Sequence, residues 1–344
     1  MNFKKMLVLV GVLVAVTAFI AACGTPGPVG PAGPEGPAGP AGPAGEVPSM
    51  ADLTCTECHN DTALITRHKA NWESSVHGSG AGLGYAGERQ NCAGCHDGAA
   101  FSEMIAAGLN FSQVESGNAA PTHQDCRTCH QIHTTYTGED WALETTAPVA
   151  LVTSGATFDG GAGNLCAQCH QARRYLTGFA AKDAAGTVIP GQYTATARFN
   201  THYSVQVDVL MGLGDFGVEG KPGAHYTLVE NTCVGCHMGD NQVHTFEPQM
   251  SSCVACHEGA EDFNIDGYLT DFDAQYAELE AALLAKGMLS KAADGTISTV
   301  PGTYDAGPAQ ALFFYNLVHE DGSHGIHNPK YFENLMEMAL EALK

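Results

Sequence analysis

Cys233-Val234-Gly235-Cys236-His237, then His244-Thr245-Phe246, then Cys253-Val254-Ala255-Cys256-His257: this stretch sets how the other parts of the 344-residue chain are read. Two Cys-x-x-Cys-His units stand twenty residues apart with another histidine between them. The same unit recurs at Cys55, Cys58 and His59, at Cys92, Cys95 and His96, at Cys126, Cys129 and His130, and at Cys166, Cys169 and His170. Six units use twelve of the thirteen cysteines. Composition alone gives about 0.02 such units in a chain of this length. Zinc or disulfide cysteines have no reason to carry a histidine after every second thiol.

The spacing suits covalent haem c. Two thiols add to the two porphyrin vinyls, and the adjacent imidazole reaches the iron as an axial ligand. Six units therefore imply six covalently bound haem c groups, with His59, His96, His130, His170, His237 and His257 on the irons. Ten of the sixteen histidines lie outside the motifs. Six more imidazoles would make every iron bis-histidine and low-spin, which suits electron relay; a missing one would leave a position for chemistry. The expected distal ligands are His77, His133, His202, His225, His244 and His327. His133 follows His130 by three residues, a spacing that lets it reach a neighbouring haem, and His225 and His244 flank the paired motifs. His68, His123, His319 and His324 read as ordinary surface or propionate-bonded histidines. Which distal histidine serves which haem does not follow from spacing.

The ends of the chain differ from this middle. Lys4 and Lys5 precede an apolar run, Met6–Ile20, too short to span a bilayer with these flanks, so residues 1–22 read as a lipoprotein signal peptide. Ala21-Ala22-Cys23 resembles a lipobox, with Cys23 the lipidated first residue of an exported, membrane-anchored protein. Gly24 after it resembles lipoproteins released to the outer membrane, on either its periplasmic or its outer face. Residues 23–50 hold the lipidated cysteine and a collagen-like tether. Six Gly-Pro-x triplets span Gly27–Gly45, a polyproline II segment of roughly 60 Å at about 3.1 Å per residue. The preferred reading is a stiff spacer; the other is a three-stranded collagen helix building a homotrimer or filament.

Residues 51–260 form the expected hexahaem body and residues 261–344 a C-terminal helical region contributing a haem ligand. The fold expected is mainly α with much irregular loop. Six porphyrins along Cys55–His257 leave too little chain for an ordinary core, so stacked haems are expected to be most of it. Short helices are expected at Arg67–Ser75 and Phe101–Ala107. Helical periodicity predicts three longer ones, Leu269–Lys286 (Phe272, Tyr276, Leu279, Leu283), Ala309–Val318 and Tyr331–Leu343 (Phe332, Leu335, Met336, Ala339, Leu343). Gly295, Pro301, Gly302 and Gly307 mark Gly287–Gly307 as a loop. The formal net charge of −22 excludes nucleic acid as a partner.

From about Asn91 onward the chain resembles the superfamily of pentahaem cytochrome c nitrite reductases and hydroxylamine oxidoreductases. The resemblance rests on Cys166-Ala167-Gln168-Cys169-His170, on His225 eight residues before Cys233–Met238, on His244 before Cys253–His257, and on Ser323–Pro329 opening the last helix. It implies that haems 2–6 match the five of the reductase, with haem 1 added in front. The departures fall on the catalytic residues. Where the reductase has a lysine ligand this chain has His96, and where it continues with Glu-Tyr after the matching motif this chain has Gln171-Ala172-Arg173. His244 occupies the place of a catalytic histidine. Tyr175 lies one or two places off the catalytic register, and Arg173 and Arg174 suit haem propionates. No catalytic residue is therefore assigned. The expected function is electron transfer across the cell envelope to redox partner proteins or an extracellular acceptor, from a lipid anchor. The alternative is a reductase of nitrite, hydroxylamine or a related oxyanion at a five-coordinate haem 2.

Overall fold

The computed structural model describes residue 59 and residues 63–344. The leader, Cys23, the tether, Cys55 and Cys58 lie outside the described residues. The long helices are α1 (Ala63–Ser74), α2 (Gly98–Ala106), α3 (Tyr268–Ala285), α4 (Ala306–Asp321) and α5 (Pro329–Glu341). Between them run helices of four or five residues and seven short strands: β1 (Val149–Ala150), β2 (Thr157–Phe158), β3 (Ala180–Lys182), β4 (Val188–Ala195), β5 (Leu289–Lys291), β6 (Ile297–Thr299) and β7 (Gly302–Asp305).

The helices expected at 67–75 and 101–107 start three to four residues earlier than periodicity placed them. For α2 the cause is Asp97, whose carboxylate accepts from the Ala99 and Ala100 amides and starts the helix directly after His96. The same carboxylate takes Asn118 Nδ2 at 2.9 Å and the Thr122 amide at 2.8 Å, so one buried side chain pins the second haem motif to the following loop.

The C-terminal stripes face inward as their spacing implied. Phe272, Leu279 and Leu283 of α3 are buried, and so are Phe332, Leu335, Met336 and Ala339 of α5 and Leu343 beyond it. Between these two, α4 is enclosed over Ala311–Tyr315, and therefore carries apolar residues on more than one face. Asn328 starts α5: its Oδ1 accepts from the Tyr331 amide, and Nδ2 donates to the carbonyls of Val209, Leu210 and Lys221. Pro329 at the first helical position has no amide to leave unpaired.

Two expectations need correction. Gly287–Gly307 is not loop throughout: β5 and β6 form a hairpin around Asp294-Gly295, and β7 pairs antiparallel with β4. Breakers at 295, 301 and 302 fall at the strand ends, where turn chemistry belongs, so they punctuate strands rather than exclude them. The middle of the chain also contributes side chains to an ordinary apolar core. Ala172, Leu176, Ala195, Phe199, Val209 and Phe216 join the C-terminal helices in one buried apolar cluster. Phe199 and Phe216 both pack on Phe313, at 5.2 and 5.6 Å between ring centroids. Side chains from outside the helical region thus fill part of this core.

Candidate metal centres

The Cys-x-x-Cys-His units in the described residues lie on single helical turns, at Ala93–His96, Cys126–Cys129, Gly163–Ala167, Cys233–His237 and Met250–Val254 or just beyond them. The histidine amide closes the turn onto the first cysteine's carbonyl: His96 to Cys92 at 2.9 Å, His130 to Cys126 at 2.8 Å, His170 to Cys166 at 2.9 Å, and His257 to Cys253 at 2.8 Å. None of the ten cysteines of these five units is paired in a disulfide. No group of three or more His, Cys, Asp and Glu side chains gathers among the described residues, as a bare zinc site would need.

Each motif histidine faces one of the six expected distal histidines. The ring centroids of His59 and His133 are 6.1 Å apart, those of His77 and His170 6.2 Å, and those of His96 and His202 6.1 Å. His130 and His244 stand at 6.3 Å, His225 and His257 at 6.4 Å, and His237 and His327 at 6.3 Å. A metal held between two imidazoles needs about 2 Å to each nitrogen, plus roughly 1.1 Å from nitrogen to centroid on each side, or about 6.2 Å in all. The six gaps fit one iron each, as axial ligation of haem requires.

Ring orientation is fixed from behind. The Nδ1–H of His130 donates to the Trp141 carbonyl at 2.7 Å, that of His225 to Ile326 at 2.6 Å, that of His237 to Phe246 at 2.8 Å and that of His244 to Gln242 at 2.7 Å. His170 uses the Gln206 Oε1 at 3.1 Å, and His327 the Asp321 Oδ1 at 2.7 Å. An occupied Nδ1 leaves Nε2 as the ligating atom, the usual arrangement for metal-bound histidine. Burial, helped by the neighbouring His170, takes His77 down to about 4, and burial with the nearby Arg173 does the same for His202. Both rings are therefore neutral at physiological pH, the form that binds metal. His133 and His202 sit in the left-handed backbone region, at φ 65° and 77°, which costs about 1–3 kcal/mol each and aims their rings at their partners.

The thiols of different units also converge. Cys95, Cys129 and Cys169, from the second, third and fourth motifs, pack around Phe101, Met104, Phe111 and Leu165. The Cys169 thiol meets that of Cys95, and the Cys166 thiol meets that of Cys233 in the fifth motif. The fourth motif thus lies between the second and the fifth.

Histidines not assigned as ligands occupy other places. His324 donates to Asp273 at 2.6 Å on the surface, and His319 meets Tyr203 edge-on. His68 lies 4.4 Å from His244, centroid to centroid, with a buried Nδ1 that has no hydrogen-bond partner among the described residues. Gln171 and Tyr175 have structural partners: Gln171 accepts from the Val152 amide, and the Tyr175 hydroxyl donates to Asp208. Arg173 donates to the Asn91 carbonyl and Arg174 to that of Asn200. Sequence reasoning missed Gln206 and Asp321, which hold the His170 and His327 rings from behind; nothing in their spacing marks them.

No protein-family model matches the chain, and no curated protein matches it. Among solved structures it is similar to the outer cell wall cytochrome OcwA, at 21% identity and a TM-score of 0.49 over 80% of this chain and 50% of that one. It is also similar to the undecahaem cytochrome from the S-layer of Carboxydothermus ferrireducens, at 19% identity and a TM-score of 0.45 over 79% of this chain and 40% of that one. The chain therefore spans half or less of the length of these two cytochromes. No helix among the described residues is long and apolar enough to cross a membrane.

Proposed function

We propose that the chain is a hexahaem c-type cytochrome that relays electrons at the cell envelope to a redox partner protein or an extracellular acceptor. The observation that carries this reading is the set of six imidazole pairs, each spanning one iron's width. Bound haem supplies reversible one-electron chemistry, and two imidazoles per iron leave no position for a substrate. The protein's part is to hold these rings, six of them by backbone or side-chain oxygens at Nδ1, and to bring the motifs close together. Contact between the thiols of the second and fourth motifs, and of the fourth and fifth, supports short transfer steps.

The lipid anchor at Cys23 and the spacer role of Gly27–Gly45 belong to the same proposal and rest on the sequence. Together they would hold the haem-bearing part off an exported membrane face. The test begins with iron and haem per chain in the purified protein. Six of each, with the motif thiols blocked, is the expected result; a colourless protein with free thiols overturns the reading. Replacing Cys23 with Ser should release the protein from membranes. A variant lacking residues 27–45 should keep the same number of chains per particle if the triplets are only a spacer, and lose chains if they build a trimer.

A further inference from the structure

His327 differs from the five other paired imidazoles that hydrogen-bond through Nδ1 in what stands behind it. Five rings donate Nδ1–H to neutral oxygens: four to backbone carbonyls and His170 to the Gln206 amide. His327 donates to a carboxylate, Asp321 Oδ1, at 2.7 Å. The Asp321 side chain is 0% exposed. Its second oxygen accepts from the Ser323 amide at 3.2 Å and from the Ser323 hydroxyl. Among the described residues, His324 is the other histidine paired with an acid, and that exposed contact lies outside the six iron-sized gaps.

We infer that Asp321 is a positioning residue that lowers the reduction potential of the haem held by Cys233, Cys236, His237 and His327, making it the lowest of the six. This deepens the cytochrome reading and rests on it. A buried carboxylate accepting the Nδ1 proton draws that proton toward itself and gives the ring imidazolate character. A more basic ligand holds ferric iron more tightly than ferrous iron, so the equilibrium moves toward the oxidised form. The effect is strong here because water does not reach the carboxylate. Ser323 moderates it, since each hydrogen bond it donates withdraws charge from the same group.

Two substitutions of opposite sign test this. Asp321→Asn keeps an oxygen for the Nδ1–H, much as Gln206 does for His170, and removes the charge. Ser323→Ala keeps the carboxylate and strips a donor from it. Potentiometric titration, followed by electron paramagnetic resonance at each step, resolves the individual haems. In D321N one haem, with the spectrum of a near-parallel imidazole pair, should rise by a tenfold change in its equilibrium, about 59 mV for one electron. In S323A the same haem should fall. Both variants should keep six low-spin haems, which separates the inference from failure of the cytochrome reading: no haem in the wild type would sink that reading first. With six haems present, the inference is overturned if D321N leaves all midpoints in place. It is equally overturned if D321N and S323A shift the haem in the same direction, or if D321N releases the ligand and produces a high-spin signal. Each of these would mean that Asp321 does not set the potential through its charge.

Discussion

His96 and His202 face each other with their ring centroids 6.1 Å apart, at the motif where the resemblance places a reductase's lysine-ligated catalytic haem. With imidazole on both sides, an iron held there would have no free position. The oxidised protein should accordingly show low-spin signals alone, unchanged by nitrite. His202→Ala should convert one haem in six to a high-spin form that nitrite shifts. A high-spin haem in the unaltered protein would revive the reductase reading.

The six imidazole pairs divide by the angle between their ring planes. His59 with His133, His130 with His244, and His237 with His327 are inclined at 23°, 35° and 36°. His96 with His202, His225 with His257, and His77 with His170 are inclined at 63°, 68° and 84°. Near-parallel rings lift the degeneracy of the iron d-orbitals that overlap them, while near-perpendicular rings leave those orbitals almost equal in energy. Low-temperature resonance spectra of the oxidised protein should show three haems with resolved rhombic signals and three with a strongly anisotropic low-field feature. A spectrum with six haems of one kind would contradict these ring orientations.

Glu320 gives the folded protein a pH dependence. Burial lifts its carboxyl to about 7, against the opposing effects of the Asn200 hydrogen bond and the nearby Arg174. The folded chain therefore binds the proton more tightly than the unfolded chain. That contribution is complete below the ordinary value of 4.5 and is lost as pH rises through about 7. Between pH 5 and 8 the wild type should lose up to about 3 kcal/mol relative to Glu320→Gln, which keeps an oxygen for Asn200 Nδ2. Chemical unfolding followed by far-ultraviolet circular dichroism at the two pH values reads the difference.

Asn328 ties the last helix to the segment that carries Val209, Leu210 and Lys221. Asn328→Ala leaves three carbonyls and the Tyr331 amide without this partner, and should cost about 2–4 kcal/mol. Asn328→Asp keeps the cap on Tyr331 but turns an anion toward the carbonyls, so it should be no more stable than the alanine variant. Denaturant midpoints for the pair decide the point; a harmless Asp would show that the cap alone matters.

The motif units and the stripes of α3 and α5 were legible because both are local patterns: thiol spacing in one case, 3.6-residue periodicity in the other. The six distal histidines could be proposed by supply and position. Their partners could not, because His77 meets His170 and His202 meets His96 across separations that no local rule encodes. The strands at 289–305 were hidden by their own turn residues. Asp294-Gly295 reads as a break until the pairing of Leu289 with Thr299 makes it a hairpin tip. Asp321 and Gln206 were illegible for a third reason: each acts on a ring from behind, and its role exists only once the fold brings it there.

The last residues of α4 reach three of the six paired histidines. The Glu320 carboxylate holds Asn200, whose side-chain oxygen takes the His202 amide at 3.3 Å; the Glu320 and Asp321 carbonyls take Gln206 Nε2, whose oxygen meets His170; and the Asp321 carboxylate meets His327. A displacement at this helix end is shared by all three centres at once. On the proposed reading, whatever docks against it, or strains it, would retune a whole section of the wire instead of one link.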